Sequence, residues 1–158
     1  MSVVDHLQDL ILALRRPKLK VLRLPYNGIE QEFCEYFYHI LNFETLQQLD
    51  LSCNWFGLRG LQRFATHFKK FVQLKKLGLS NNKLCVEEGH DTRLFADVLI
   101  SVSNTVEELT IAENSIQDAD MVDFLIPAFS TMSKLTTIDL SRNPLTKFGI
   151  IGLLYGML

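Results

Sequence analysis

The chain has 158 residues, of which 47% are hydrophobic and 22% charged, and a net charge of −2 at neutral pH. That length can enclose a sizeable core, and that balance is that of a folded chain rather than a disordered one. The longest apolar stretch, residues 148–158, is too short and too interrupted by glycine to cross a bilayer, and no basic segment followed by an apolar run marks a signal peptide.

Residues 2–16 carry a helical pattern, with Ser2 as cap, Asp5 three positions on, and Val4, Leu7, Ile11 and Leu14 on one face. Pro17 ends it, so 2–18 is expected to form an N-terminal helix or cap. Leu19 then opens the segment L-x-x-L-x-L-x-x-N-x-I, which runs through Leu22, Leu24, Asn27 and Ile29. The segment returns at Leu46, Leu74, Val106 and Leu135, in steps of 27, 28, 32 and 29 residues. Five matches at near-constant spacing make residues 1–158 one repeat array.

Between these segments lie helical faces at i, i+3/i+4 spacing: Phe33, Phe37, Ile40 and Leu41; Leu61, Phe64, Ala65 and Phe68; Phe95, Val98, Leu99 and Val102; Val122, Leu125, Ile126 and Phe129. Asp118, Asp120 and Asp123 crowd the start of the last, where acids suit a helix N-terminus better than they suggest a cation site. The last repeat is incomplete, and its helix would leave Ile150, Ile151, Leu153, Leu154 and Met157 partly uncovered.

In each unit the fourth and sixth positions, such as Leu22 and Leu24, share one side of a strand and face a core. The asparagine at the ninth position carries donors and an acceptor, enough for its own turn and the neighbouring one. Asn27, Asn54, Asn82, Asn114 and Asn143 are therefore expected to form a structural ladder. Strands about 4.8 Å apart and helices about 10 Å apart force the stack to curve. The expected fold is α/β, with a concave parallel sheet and a convex helical back.

Those residues resemble leucine-rich repeats, and the 27–29-residue spacing with a full helix is similar to the ribonuclease-inhibitor-like subclass. That subclass includes Ran GTPase-activating protein, NOD-like receptors and the actin regulators tropomodulin and CARMIL. The resemblance implies a right-handed horseshoe arc that recognises proteins across its concave face and adjoining loops. Two departures stand out: about four extra residues around 85–93, and the unfinished final helix.

Outward strand positions should align in rows. One runs Val21, Gln48, Lys76, Glu108, Thr137; the next runs Arg23, Asp50, Gly78, Thr110, Asp139; a third, Pro25, Ser52, Ser80, Ala112, Ser141, is small throughout. A loop row follows, Tyr26, Cys53, Asn81, Glu113, Arg142. Arg23 with Asp50, Lys76 with Glu108, Glu113 with Arg142 and Lys75 with Glu107 are expected to neutralise one another, each pair contributing about 0.2–1 kcal/mol. Trp55, where other units have Gly28, Lys83, Ser115 and Pro144, either anchors a partner or covers the 85–93 insertion. Partner contacts are expected from Val21, Arg23, Tyr26, Gln48, Asp50, Trp55, Lys76, Glu108, Thr110, Thr137 and Asp139.

Glu87, Glu88, His90 and Asp91 lack the second His or Cys that a metal site needs. Arg59, Arg63, His67, Lys69 and Lys70 lack interleaved aromatics for nucleic acid. No G-x-S-x-G, P-loop, H-E-x-x-H or Cys-x-x-Cys occurs, so neither catalysis nor a cofactor is expected. Cys34, Cys53 and Cys85 cannot all pair within the chain, and no Asn-x-Ser/Thr acceptor is present; both point to free thiols in an intracellular, cytoplasmic setting. Up to Val86 there are twelve Lys/Arg against seven Asp/Glu, and beyond it four against eleven. The reading is a non-catalytic protein-binding module. The alternatives are a regulatory or sensor segment of a larger protein, or an array that self-associates through its C-terminal end.

Overall fold

The structure, a computed structural model, describes residues 19–31, 34, 41–85 and 92–156. The expected helix at 2–16, most of the face around Phe33, Phe37 and Ile40, and residues 86–91 of the insertion lie outside the described residues.

Five short parallel strands form one sheet in chain order: β1 Val21–Arg23, β2 Gln48–Asp50, β3 Lys76–Gly78, β4 Glu108–Thr110 and β5 Thr137–Asp139. Their register brings Leu22, Leu49, Leu77, Leu109 and Ile138 side by side. A slip of one residue would turn that whole row to solvent, so the alternation of apolar and polar residues holds the register. Leu46, Leu74 and Val106, the first positions of three units, are fully buried beneath the strands.

Among the described residues, four helices lie behind the sheet. They are α1 Gly57–Phe68, α2 Thr92–Ser101, α3 and α4 Lys147–Gly156, where α3 is the continuous run of Asp118–Asp120, a π-helical turn Met121–Leu125 and Ile126–Ser130. They pack in sequence, α1 on α2, α2 on α3 and α3 on α4. Because helices need twice the spacing of strands, the sheet takes the concave side. Helix α1 buries Leu61, Phe64 and Phe68, and α2 buries Phe95, Val98 and Leu99, as their spacing requires. Rings carry much of this core: Phe64 and Phe68 meet edge-on with centroids 4.6 Å apart, and Phe43 lies 4.8 Å from Phe71.

Helix α3 departs from its expected face. Leu125 and Phe129 are buried, but Val122 is 51% exposed and Met121 takes its place in the core. Pro127 has no N–H to continue the α-helical ladder. The turn before it widens, and the Ile126 N–H is donated to the Met121 carbonyl. The buried stripe then advances by four residues at a time, Met121–Leu125–Phe129, and Val122 falls off it.

Helix α4 comes close to α3 because its inner face is glycine. A Cβ on Gly149 would collide with Asp118 Oδ1, and one on Gly156 with Ile126 Cγ2. Among the described residues no helix is long and apolar enough to cross a membrane.

Candidate functional site

The concave face rests on the asparagines. Asn82 Nδ2 donates to the carbonyls of Leu51, Leu79 and Ser80 at 3.0–3.1 Å, and its Oδ1 accepts the Asn54 N–H at 3.1 Å. Asn114 repeats this on Leu79, Ile111 and Ala112 and accepts the Asn82 N–H at 2.9 Å. Asn54, Asn82 and Asn114 are wholly buried. Asn143, half-buried, holds Ile111 and Leu140 in the same way. Asn27, in the first unit, joins the ladder through its N–H, which donates to Asn54 Oδ1 at 3.0 Å. It is exposed, and among the described residues its Nδ2 donates to its own turn alone, at Pro25 O. The carbonyl that each inner asparagine reaches lies on the preceding strand, and among the described residues none precedes β1.

On this frame the outward residues stand in register. Val21, Gln48, Lys76, Glu108 and Thr137 form one row, and Arg23, Asp50, Gly78, Thr110 and Asp139 the next. Lys76 Nζ meets Glu108 Oε1 at 2.7 Å, Lys75 meets Glu107 at 3.0 Å, and Arg142 pairs with Glu113. These side chains are 36–77% exposed, so each pair is worth about 1 kcal/mol or less.

The expected Arg23–Asp50 pair does not form. Arg23 Nη2 donates to Gln48 Oε1 at 3.0 Å, and Asp50 Oδ1 accepts the Ser52 N–H at 3.0 Å. Gly78 in the next strand leaves room for this, since a Cβ there would lie 2.6 Å from Asp50 Oδ1. Without that Cβ, the Asp50 carboxylate occupies the free space over β3. What remains is a shallow notch of about 130 Å³. Gln48, Asp50, Lys76, Gly78, Glu108 and Thr110 line it. Asp139 is similarly engaged: hydrogen bonds from the Ser141 hydroxyl and N–H hold its pKa below the usual carboxylate value.

Beside the sheet, the loop row turns outward. Tyr26, Cys53, Asn81, Glu113 and Arg142 all adopt left-handed backbone, with φ between 50° and 60°. Four of them are held there by donating their N–H to the next unit: Tyr26 to Ser52, Cys53 to Ser80, Asn81 to Ala112 and Glu113 to Ser141. Tyr26 is 82% exposed, and its hydroxyl, hydrogen-bonded to the Cys53 thiol, has a raised pKa. Trp55 is 61% exposed, with Lys83 Nζ 5.5 Å from its ring centroid. In the sequence Lys83 stands at the position of Trp55 one unit on, which alone does not pair the two; neighbours in that row stand close enough to touch.

A family profile described as Leucine Rich repeat matches residues 44–65, the second unit and its helix. The fold is similar to the tropomodulin C-terminal domain of Caenorhabditis elegans, with a TM-score of 0.68 and 16% identity over 96% of this chain and 90% of that one. The chain has a leucine-rich-repeat fold of the ribonuclease-inhibitor-like kind. No curated protein sequence matches it.

Other sequence candidates resolve as parts of the leucine-rich-repeat frame. Asp118 accepts hydrogen bonds from the Thr146 hydroxyl and N–H and the Gly149 N–H, and so caps α4. Asp120 accepts the Thr92 hydroxyl and the Gln117 N–H. These two carboxylates are spent on helix starts. In the basic group His67 stacks between Phe43 and Phe64, with centroids 6.2 and 6.4 Å away. The described residues hold three free thiols. Burial pushes the Cys85 thiol up to about 12. Glu87, Glu88, His90 and Asp91 lie outside the described residues.

Proposed function

We propose that this chain is a non-catalytic module that binds a protein partner across its concave sheet and the adjoining loop edge. Support comes from one observation above all: side chains from five separate repeats are brought into register on one face, over an asparagine frame that is buried in the three inner units. A surface set in advance loses little conformational entropy on docking. The notch over Gly78, edged by Asp50 and Thr110, is where the sheet has room for an incoming side chain. Trp55 on Lys83 and the exposed Tyr26 supply aromatic area at the edge, the residue types that most often anchor interfaces. Lys76 and Glu108 neutralise each other and serve the rim. Val21, Arg23, Gln48, Thr137 and Asp139 complete the face.

The test is a cross-linking pull-down with the wild-type chain and a triple variant, Asp50→Ala, Tyr26→Ala and Trp55→Ala. The expected result is loss of a specific partner by the variant with an unchanged melting temperature, because the substituted groups are exposed or half-exposed. Equal capture by the two proteins would refute the reading.

A further inference from the structure

The middle of the concave sheet holds a notch that neither the core nor the asparagine frame uses. It lies over β3, between β2 and β4, with a volume of about 130 Å³, the share of about four waters. That is room for the head of one long side chain and not for a stretch of backbone. Its floor is bare peptide, because Gly78 carries no Cβ. Asp50 on β2 and Thr110 on β4 flank Gly78 in register, so their Cα atoms stand two strand spacings apart, about 10 Å.

The walls have one chemical bias. Asp50 Oδ1 accepts the Ser52 N–H at 3.0 Å, which holds the carboxylate over Gly78. Among the described residues, Asp50 Oδ2 and the Thr110 hydroxyl take part in no hydrogen bond. Glu108 keeps acceptor capacity beyond the 2.7 Å contact of its Oε1 with Lys76 Nζ. The nearby cations are engaged, Lys76 with Glu108 and Arg23 with Gln48 Oε1 at 3.0 Å. Acceptors on three sides therefore converge on the notch, and among its lining residues Asp50 and Glu108 stand against Lys76, an excess of one negative charge.

We propose that the notch over Gly78 is a subsite for one arginine side chain of the protein partner, which rests on the concave face being the docking surface. A guanidinium carries five N–H donors in one plane and no acceptor. It lies flat on the Gly78 peptide, gives one edge to Asp50 Oδ2 and the other to the Thr110 hydroxyl, and stays within reach of Glu108. An ammonium is a compact, strongly hydrated charge, whereas a guanidinium is planar and more weakly hydrated. The shallow notch suits the planar head. Bonds to the ionised Asp50 are about twice as strong as those between neutral groups, so charge carries most of the recognition.

The test is a titration of the isotope-labelled whole chain with blocked glycyl-arginyl-glycine, up to ~50 mM so that millimolar binding saturates. The amide resonances of Gly78 and Thr110 report it, and both should shift saturably. The citrulline peptide, of the same shape without the charge, should leave them in place, and the lysine peptide should bind at least about threefold more weakly. Asp50→Asn retains an acceptor for the Ser52 N–H, and Gly78→Ala fills the floor. Each should weaken the arginine peptide at least about fivefold, with a melting temperature close to wild type. No saturable shift at Gly78, undiminished binding by either variant, or a lysine or citrulline peptide that binds as well as the arginine peptide would each overturn the subsite. The docking surface itself is judged separately. A partner lost by the triple variant but captured in full by Gly78→Ala would overturn the subsite alone, whereas a partner that the triple variant also captures in full would overturn the concave-face reading.

Discussion

Asn82 and Asn27 occupy the same position of the same repeat and do different work. Asn82 is fully buried, gives three hydrogen bonds and ties its own turn to that of the preceding unit. Asn27 is exposed and, among the described residues, its side chain holds Pro25 alone. The sequence signature is identical, so what differs is the neighbour. A repeat residue acquires its energetic weight from the unit stacked against it, and within the described structure the first unit has none on its outer side.

The sharpest way to break this comparison is to delete the side chain at both places. Asn82→Ala leaves buried carbonyls and the Asn54 N–H without partners, and should cost about 3–5 kcal/mol. That corresponds to a melting temperature lower by about 10 °C or more in a chain of this size. Asn27→Ala should cost about 1 kcal/mol or less, because its one bond is exposed to water. Equal losses in thermal unfolding would show that the ladder is not graded by burial.

Two glycines extend the contrast with a smaller effect. Gly156→Ala drives a methyl into Ile126 and should cost about 1–3 kcal/mol by forcing α4 away from α3. Gly78→Ala meets the far end of the Asp50 side chain, which can swing aside. It should cost less than about 1 kcal/mol and close the concave notch. Urea unfolding of the pair checks the order, and a larger loss at Gly78 would reverse it.

The smallest effect concerns pH. Hydrogen bonds from the Thr146 hydroxyl and N–H and the Gly149 N–H hold the Asp118 pKa below its ordinary 3.8. A carboxylate depressed in the folded state contributes stability that is present above the unfolded pKa and lost as pH falls through the folded one. The α4 end should therefore loosen in acid, from about pH 4 downward, before the inner repeats do. Amide exchange at Thr146 and Gly149, compared with Asn82 and Leu84, measures it. Asp118→Asn should remove the pH dependence; an unchanged profile would assign it to another group.

Much of the fold was legible because repetition multiplies a weak signal. One L-x-x-L-x-L-x-x-N segment says little, but five at matched spacing specify strand, turn and stacking direction together. The strand register and both concave rows followed from counting positions. The pairings within the rows were less readable. Arg23 and Asp50 are neighbours in register and still do not pair, because Arg23 bonds Gln48 and the Ser52 N–H holds Asp50 in the room that Gly78 leaves. The face of α3 was misread at Val122 for a similar reason. Helical spacing assumes 3.6 residues per turn, and the widened turn before Pro127 does not obey it.

By itself the sequence determined the period, the alternation that faces leucine inward, and the asparagine at every ninth position. These are local rules, repeated, and local rules survive without knowledge of the neighbour. Tertiary structure alone decided which asparagine is buried, that Asp118 caps the helix of the next unit, and that Val122 stays in water while Met121 does not. Each of these depends on what lies one repeat away, some 27 to 32 residues along the chain. At that distance only the stacking of one unit on the next brings the groups within hydrogen-bonding reach.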